Sequence, residues 1–558
     1  MTLTGTAERA KELTVRMVRA ASVSESGGEQ GFPDGLVELL REMPYFQAHP
    51  QDVWVERIEN DPLGRRNVYA LVRGNGAESV VLTGHYDVVD VRNYGPHVDV
   101  AFDPEALLPR LIADLEVNAR SEAEHRALAD LKGGEFLPGR GALDMKSGLA
   151  AGLVALERFA ALPERVGNVL FLAVADEEIS SHGARWAAPN LNALAGREGL
   201  KIVGVINLDA TGDNGDGSAG QAVYVGTVGK LLVSAFVVGV DTHAGYALDG
   251  VNVNFLTSEL ARAFEGHPDL TDTSAGLVGT PPTILKQMDL KTHYDVTTPA
   301  RAWLCVNALT HGWDAETVLT RFQAQAGGAL HQALTTLRER AEALGERRSA
   351  AHGATPLVLT HAELLKAAQA HTSDFDSEFQ AFQQGLPAGL DYPTRSAHLT
   401  GWLWDASGLL GPAVVLGFAS LHYPNTTLNE QESAEARFLQ VVRQVMHDAP
   451  ARHGVTVTER PIFTGISDMS WFGQTDPADI AFVNANTPVQ AAHIHAPPAG
   501  LPCINLGPWG RDYHQWLERV HMPYSFGVLP ELVWDITQAL LTADRSTAVE
   551  SSVVMSAR

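Results

Sequence analysis

The length, composition and charge of the chain exclude several classes of protein. Its 558 residues exceed the size at which a single hydrophobic core keeps growing, so two or more domains are predicted. Hydrophobic residues at 45% and charged residues at 19% indicate a folded chain rather than a disordered one. The formal net charge of −25 argues against nucleic acid or an anionic membrane as a partner, because both attract basic surfaces. Cys305 and Cys503, the two cysteines, are too few for a disulfide framework.

The N-terminal segment MTLTGTAERAKELTVRMVRAAS predicts an amphipathic helix and lacks the continuous apolar run of a signal peptide. The longest apolar runs, such as LLVSAFVVGV, fall short of the roughly 18 residues that span a bilayer. We therefore expect a cytoplasmic protein.

Predicted strands and helices alternate over residues 1–215. The β-rich runs are NVYALV, SVVLTG, NVLFLAVA and IVGVINLDA, and the helical segments are SGLAAGLVALERFAAL and GARWAAPNLNALA. This alternation predicts an α/β fold with an open, doubly wound mixed sheet that helices cover on both faces. In such sheets, ligands bind beyond the carboxyl ends of the strands.

The turn-rich segment TGDNGDGSAG, residues 211–220, predicts a linker. The segments QAVYVGTVGKLLVSAFVVGVD, PTILKQMDLKTHYDV and ARAWLCVNALT then predict strands, and a long helix follows them. We expect residues 219–345 to form an inserted α+β lid domain. Residues 1–218 and 346–558 are expected to form the catalytic domain, the second part with extra helices.

The segment GRGALDMKSG, residues 139–148, contains the glycines, lysine and serine of a phosphate-binding loop. Such a loop has glycine directly before the lysine. Here Met145 precedes Lys146, and the carboxylate of Asp144 would repel a phosphate. Asp144 is therefore interpreted as a helix N-cap or as a metal ligand.

Residue types that bind metals follow three of the predicted strands: His85 and Asp87, Glu177 and Glu178, and Asp209. Each has a structural alternative, because a strand-end histidine is commonly a hydrogen-bonded structural residue and paired glutamates commonly face solvent. Together with Asp144, however, they would crowd carboxylates into one crevice, which is costly unless a cation neutralises them. The combination predicts a metal cluster.

In chain order, GHYDVVD, GRGALDMKSG, DEEISSHGA, NLD, THAG and GRDYHQWLERV resemble the motifs of the M20 family of co-catalytic metallopeptidases and amidohydrolases. The long C-terminal half resembles the branch of arginine-utilisation proteins called RocB. The resemblance implies a two-metal, zinc-type site, a catalytic glutamate and a lid domain that also mediates dimerisation. It also implies a cis peptide bond between Asp144 and Met145.

Under this resemblance, Asp144 bridges two divalent metal ions. His85 and Asp209 complete the first site, and Glu178 and His514 complete the second. Each metal then has three protein ligands and room for a shared water. The mixed histidine and carboxylate donors favour zinc, with manganese or cobalt as alternatives.

The second metal-binding histidine has competing candidates. His514 is favoured because Glu518 follows it at the spacing that the family shows. The alternatives are His493, His495 and His521.

The resemblance also assigns catalytic roles. Glu177 is expected to be the general base, taking a proton from the attacking water. Asp87 is expected to hydrogen-bond His85 and fix its tautomer. His243, in THAG of the lid domain, is expected to stabilise the oxyanion, although a structural role at a helix terminus is the alternative. Asp468 in GISDMSW resembles a family motif without an assigned role.

Some positions depart from the family pattern. Asp90 stands where proline is common, Ser147 where glycine is common, and Asn307 where an arginine is often found. The last difference leaves open which residue would bind a substrate carboxylate, with Arg301 and Arg511 as candidates.

The predicted function is that of a dinuclear metal-dependent hydrolase. It would cleave an amide or peptide bond in a small substrate, an N-acyl amino acid or a short peptide, with metal-bound hydroxide and a glutamate base. The alternatives are a non-catalytic or regulatory small-molecule-binding protein on the same fold, and a phosphoesterase. The expected partners are the substrate and a second copy of the chain bound through the lid domain.

Overall fold

The chain divides into two units in the computed structural model, which describes residues 5–213, 221–346 and 349–555. The first unit contains Met1–Thr227, Thr426–Gln474 and Pro498–Arg558, and the second contains Val228–Asn425 and Thr475–Pro497. Most of the predicted linker at 211–220 lies outside the described residues.

The secondary-structure elements are numbered in chain order. The strands are β1 (Val53–Arg57), β2 (Arg66–Val72), β3 (Asn75–His85), β4 (Phe136–Pro138), β5 (Val166–Val174), β6 (Lys201–Asn207), β7 (Thr211–Asp213), β8 (Ala222–Tyr224), β9 (Gly226–Thr227), β10 (Gly229–Val238), β11 (Thr283–Asp289), β12 (Arg301–Thr310), β13 (Leu357–Thr360), β14 (Ala413–Phe418), β15 (Thr426–Thr427), β16 (Thr458–Arg460), β17 (Cys503–Asn505), β18 (Trp509–Arg511) and β19 (Arg519–His521). The α-helices are α1 (Gly5–Arg19), α2 (Gly27–Arg41), α3 (Pro44–Ala48), α4 (Pro104–Asn118), α5 (Glu122–Gly133), α6 (Ser147–Ala160), α7 (His182–Glu198), α8 (Val253–Phe264), α9 (Ala315–Ala343), α10 (His361–His371), α11 (Phe375–Gly385), α12 (Tyr392–Ser407), α13 (Ser433–His453), α14 (Met469–Phe472), α15 (Pro477–Ala485) and α16 (Leu529–Met555).

An eight-stranded sheet in the order β1-β2-β5-β3-β6-β17-β8-β16 forms the centre of the first unit. Its central strands β5, β3, β6 and β17 are parallel to one another. At one edge of the sheet, β2 pairs antiparallel with β5 on one side and with β1 on the other. Successive residues of β5 are buried on both faces, as a sheet covered on both sides requires. Helices α6 and α16 pack against β3 and β5, and α7 packs against β2, β5 and β6. The predicted α/β fold with a mixed, doubly covered sheet is confirmed.

The second unit is built on a five-stranded sheet in the order β11-β12-β10-β14-β13. Alternate residues of β10 point to opposite faces. Leu231, Val233 and Ala235 pack with α8 and α9 on one face, and Leu232 and Phe236 pack with α10 and α12 on the other. Helices therefore cover this sheet on both faces as well.

The predicted domain boundaries need correction at three places, one of which is Thr475–Pro497, assigned to the catalytic domain but part of the second unit. Residues 346–425 were assigned to the catalytic domain, but β14 pairs with β10 and β13 pairs with β14, so this segment completes the sheet of the second unit. Residues 221–227 were assigned to the lid, but β8 pairs with β16 and β17 of the first unit. The errors at 346–425 and 221–227 arise because strand partners far apart in sequence decide which sheet a short strand joins.

Among the helices of the described ranges, none combines the length and the apolar character that crossing a membrane requires. Cys305 in β12 and Cys503 in β17 are buried free thiols.

Two buried histidines are expected to make the stability of the second unit depend on pH. Burial lowers the pKa of His361 and that of His422 to about 4, against an ordinary value of about 6.5. Between these two values the unfolded chain binds more protons than the folded chain. The free energy of unfolding therefore falls as the pH falls from about 6.5 to about 4, by up to roughly 3 kcal/mol for each histidine.

Chemical denaturation at about pH 7 and about pH 4.5 measures this loss. His361→Gln removes one titrating group, so its loss of stability between the two pH values should be smaller than that of the parent. His331→Gln, at an exposed position of α9, is the matched control and should behave as the parent does. Equal losses in all three proteins would contradict the prediction.

Candidate metal centre

Three strand ends meet at one edge of the eight-stranded sheet. Strand β3 runs parallel to β5 on one side and to β6 on the other, so their carboxyl ends lie together. His85 is the last residue of β3, Glu177 and Glu178 follow β5, and Asp209 follows β6. Asp144 comes from the short helical segment Ala142–Lys146 that directly precedes α6. The peptide bond between Asp144 and Met145 is cis, which confirms the prediction.

Asp144 is shared by two groups of potential ligands. In the first group, His85 Nε2 lies 3.2 Å from Asp144 Oδ1 and 3.5 Å from Asp209 Oδ1. In the second group, His514 Nε2 lies 3.1 Å from Asp144 Oδ2 and 3.0 Å from Glu178 Oε2. The two oxygens of Asp144 therefore face different donor groups, as those of a bridging carboxylate do.

The separations of these atoms fit a pair of small divalent cations. Ligand atoms about 2.0–2.1 Å from one tetrahedral zinc ion lie roughly 3.3–3.4 Å from each other. His514 Nε2 is also buried without a hydrogen bond of acceptable geometry, although two carboxylate oxygens lie close to it. A nitrogen that approaches two oxygens without bonding to either is placed as a ligand atom would be.

The pKa shifts of the carboxylates in the cluster also indicate a site for divalent cations. Burial, with Asp144 nearby, raises the pKa of Glu178 to about 7. Burial also raises the pKa of Glu177, and Asp209 and Asp468 add to this effect. Asp144, Glu177, Glu178 and Asp209 together would carry four negative charges, which two divalent cations would offset.

The histidines respond to this negative charge. Burial acts to lower the pKa of His514, but the nearby carboxylates of Asp144 and Glu178 outweigh it and raise that pKa to about 11. Burial likewise opposes protonation of His85, and Asp144 and Asp209 raise its pKa well above the usual range. Both rings are held where positive charge is strongly favoured.

The Asp87 carboxylate, which was predicted to bind His85, binds the main chain of Glu177 and Glu178. Its Oδ1 accepts a hydrogen bond from the Glu177 main-chain nitrogen at 3.0 Å, and its Oδ2 accepts one from the Glu178 nitrogen at 3.3 Å and one from Ser24 Oγ at 2.8 Å. The nearest acceptor for His85 Nδ1 is the main-chain oxygen of Asp87 at 3.0 Å, whereas Asp87 Oδ1 is 3.6 Å away. The main-chain oxygen therefore holds the tautomer that leaves Nε2 facing Asp144 and Asp209.

A buried ion pair of Arg140 and Glu518 positions Asp144, and the sequence analysis had not identified Arg140. Glu518 Oε1 accepts hydrogen bonds from the main-chain nitrogens of Leu143 and Asp144 at 3.2 and 3.3 Å. Glu518 Oε2 pairs with Arg140 Nη1 at 2.5 Å, and Arg140 Nη2 donates to the His514 main-chain oxygen at 3.2 Å. The pair thus links the segment of Asp144 to that of His514. The sequence feature that could have indicated this pair is Arg140, the arginine in GRGALDMKSG.

The competing histidines lie outside both donor groups of the described residues. His521 packs between the rings of Phe136 and Trp509. His493 and His495 belong to the second unit, where His493 Nε2 lies 2.8 Å from the Thr487 main-chain oxygen. His514 is therefore the histidine that the structure brings to the cluster.

His243 lies in the second unit, exposed, and its Nδ1 accepts a hydrogen bond from the Gly245 main-chain nitrogen at 3.0 Å. The two arginines considered for a substrate carboxylate are already paired, Arg301 with Asp405 and Arg511 with Asp130.

Asp468 is 2% exposed and neither carboxylate oxygen has a hydrogen bond of acceptable geometry. Burial raises its pKa to about 7, and the negative charge of Asp209 adds to this shift. This carboxylate lies close enough to the cluster to feel its charge, and it belongs to neither donor group.

Comparisons with known proteins cover nearly the whole chain. The model of peptidase family M20/M25/M40 matches residues 121–502, more than half of the length. Two Bacillus subtilis proteins, the uncharacterized protein YqjN and the protein RocB, are each 29% identical to the chain, over 96% and 97% of its length and 96% of theirs. Among solved structures, aminopeptidase PepT from Bacillus cereus matches 96% of this chain and 98% of its own, with a TM-score of 0.51 and 13% identity, a likeness of fold. Since the family model covers more than half of it, the chain belongs to peptidase family M20/M25/M40 and is a RocB-like hydrolase of that family.

Proposed function

We propose that the chain is a dinuclear metal-dependent hydrolase that cleaves an amide or peptide bond in a small substrate, an N-acyl amino acid or a short peptide. The observation that carries the proposal is the position of Asp144. Its Oδ1 faces His85 and its Oδ2 faces His514, so one carboxylate belongs to two groups of metal-ligand type.

His85, Asp144 and Asp209 would hold one cation, and Asp144, Glu178 and His514 would hold the other. Zinc is the proposed metal, because the donors combine imidazole nitrogens with carboxylate oxygens. When bound, the two cations would supply Lewis-acid chemistry, polarising the scissile carbonyl and making water more acidic.

Glu177 is the proposed general base. Its Oε2 lies 3.9 Å from His85 Nε2, so it borders the cluster without belonging to either donor group. In this role it takes a proton from the attacking water and passes it to the leaving amine. Its backbone is held by Asp87, which leaves the carboxylate oxygens available for the proton.

His243 is the proposed donor to the oxyanion. Because its Nδ1 accepts a hydrogen bond from Gly245, the neutral ring carries its proton on Nε2, which can then donate. A donor aimed at the developing negative charge stabilises the transition state more than the ground state.

Hydrolysis assays on chelator-treated and metal-reconstituted protein test the proposal. The panel contains N-acyl amino acids, dipeptides with and without arginine, and p-nitrophenyl phosphate as a phosphoester. We expect chelation to abolish amide cleavage and zinc, manganese or cobalt to restore it, with no cleavage of the phosphoester. Reconstituted protein that binds metal but cleaves none of the amides, or that prefers the phosphoester, would contradict the proposal.

A further inference from the structure

The second unit contains a cavity of about 480 Å³ that the proposed hydrolase mechanism does not use. It lies on the face of the five-stranded sheet that α10 and α12 cover. Four aromatic side chains form much of its wall: Phe236, Trp303, Phe382 and Trp402. Small-molecule sites are typically concave, mostly apolar and about 300–1,000 Å³ in volume, with a few polar groups that orient the ligand.

A β-bulge turns Lys286 toward this cavity. In β11, Ile284 pairs with Val306 and packs on the face of α8 and α9. The register shifts between Ile284 and Lys286, so that Lys286 pairs with Cys305, which packs on the opposite face. With regular alternation, residues two apart would share a face. The bulge therefore places the lysine on the cavity side, an effect for which bulges are known near functional sites.

The charge of Lys286 has no matching carboxylate in the described residues. Its Nζ lies 3.2 Å from Thr394 Oγ1, another residue of the wall. The Asp391 carboxylate interacts with the charge of Lys286 at longer range, but the two side chains form no ion pair. By contrast, the other cations of the wall are neutralised.

These other cations are Lys291, whose Nζ is 2.5 Å from Asp295 Oδ1, and Arg301, which pairs with Asp405. Among the described residues of the wall, Lys286 is therefore the one lysine or arginine without an ion pair. The wall also carries the Asp289 carboxylate, which accepts hydrogen bonds from Asn254 Nδ2 and the Lys291 main-chain nitrogen.

Two further features of the wall fit a ligand. Gly401 lies in the interior of α12, where glycine weakens a helix relative to alanine. An added Cβ would lie 3.6 Å from the Phe236 ring, an ordinary contact, so packing does not demand glycine, and a longer side chain there would enter the cavity. The buried Trp303 indole nitrogen has no hydrogen bond of acceptable geometry, and the Cys305 thiol near it is a weak acceptor.

We propose that this cavity binds a small carboxylate with a flat, apolar body. The carboxylate would pair with Lys286 and accept from Thr394, and the body would lie among the aromatic rings. A phosphate is a poorer match, because it carries more charge and is typically bound by several donors or by a free arginine. The site lies within the second unit and does not depend on the proposed hydrolase mechanism.

Isothermal titration calorimetry with 3-phenylpropanoate and its neutral amide, 3-phenylpropanamide, tests the site on the full chain. We expect the carboxylate to bind in one saturable step, with a Kd on the order of 1 mM or below, and the amide to bind at least about tenfold more weakly. Lys286→Met should abolish the difference between the two probes. Lys291→Met removes a cation that is already paired and should change the Kd less than about threefold.

Gly401→Leu provides a second variant, because leucine favours the helix and would fill the cavity. It should abolish saturable binding of 3-phenylpropanoate. Binding that survives in both Lys286→Met and Gly401→Leu would lie elsewhere, for example at the metal centre, and would overturn the proposal. So would equal affinity of the parent for the two probes, or no saturable binding of 3-phenylpropanoate.

Discussion

Glu177→Gln is expected to lower the rate of amide hydrolysis by a factor of about 10² to 10⁴ while the metal content stays unchanged. Glutamine keeps the size and shape of the side chain but cannot take a proton from the attacking water. The lost factor corresponds to roughly 3 to 5 kcal/mol of activation barrier. The metals should remain because Glu177 belongs to neither donor group. Steady-state kinetics and metal analysis of the same protein sample measure both effects.

The neighbouring substitution Glu178→Gln is the matched control. It alters the same loop by the same chemical change, but it removes the charge of a proposed ligand, so metal affinity should fall. If Glu177→Gln lost metal and Glu178→Gln kept it, the roles of the two glutamates would be reversed. Full activity in both variants would rule out the proposed mechanism.

Arg140→Met is expected to lower the free energy of unfolding of the first unit by about 3–5 kcal/mol. Arg140 and Glu518 are almost completely buried, with side chains 1% and 0% exposed. Methionine would leave the Glu518 carboxylate without its cation in a desolvated position. Because Glu518 also holds the main chain at Asp144, metal affinity should fall by a factor of about 10 to 100. Denaturation curves and zinc titrations test the two parts separately.

The control for this prediction is an ion pair at the surface. Arg110 lies 2.8 Å from Asp99 Oδ2, and their side chains are 49% and 61% exposed. Arg110→Met should therefore cost less than about 1 kcal/mol and leave zinc affinity unchanged. Equal losses of stability in Arg140→Met and Arg110→Met would contradict the prediction, because burial of the Arg140–Glu518 pair would then add nothing to the cost of breaking it.

Much of the candidate metal centre could be predicted because several of its residues follow strands of a recognisable type. The runs ending at His85 and before Glu177 and Asp209 are continuous and apolar, which is typical of central parallel strands. Parallel strands bring their carboxyl ends to one edge of the sheet, so the predicted fold class implied that the residues following these strands lie close together. Asp144 was a candidate from the segment GRGALDMKSG, whereas His514 required the family resemblance, since it follows no strand of the eight-stranded sheet.

Other features depend on contacts that no local pattern encodes. Arg140 and Glu518 are far apart in sequence, and only the folded chain shows that they pair. The expectation that the Asp87 carboxylate would hold His85 missed the main-chain oxygen as the nearer acceptor. The predicted lid domain ended too early because β13 and β14 are short strands. Their place in the sheet depends on pairing of β14 with β10 and of β13 with β14. Local patterns predict that an element exists, whereas its sheet partner is set by tertiary packing.

Anomalous diffraction from crystals of the zinc-reconstituted protein tests the central claim most directly, because it locates metals without reference to activity. Two peaks are expected, one on each side of Asp144 and roughly 3.5–4 Å apart. One should contact His85 and Asp209, and the other should contact Glu178 and His514. A single peak, or peaks that do not share Asp144, would contradict a dinuclear centre bridged by this residue.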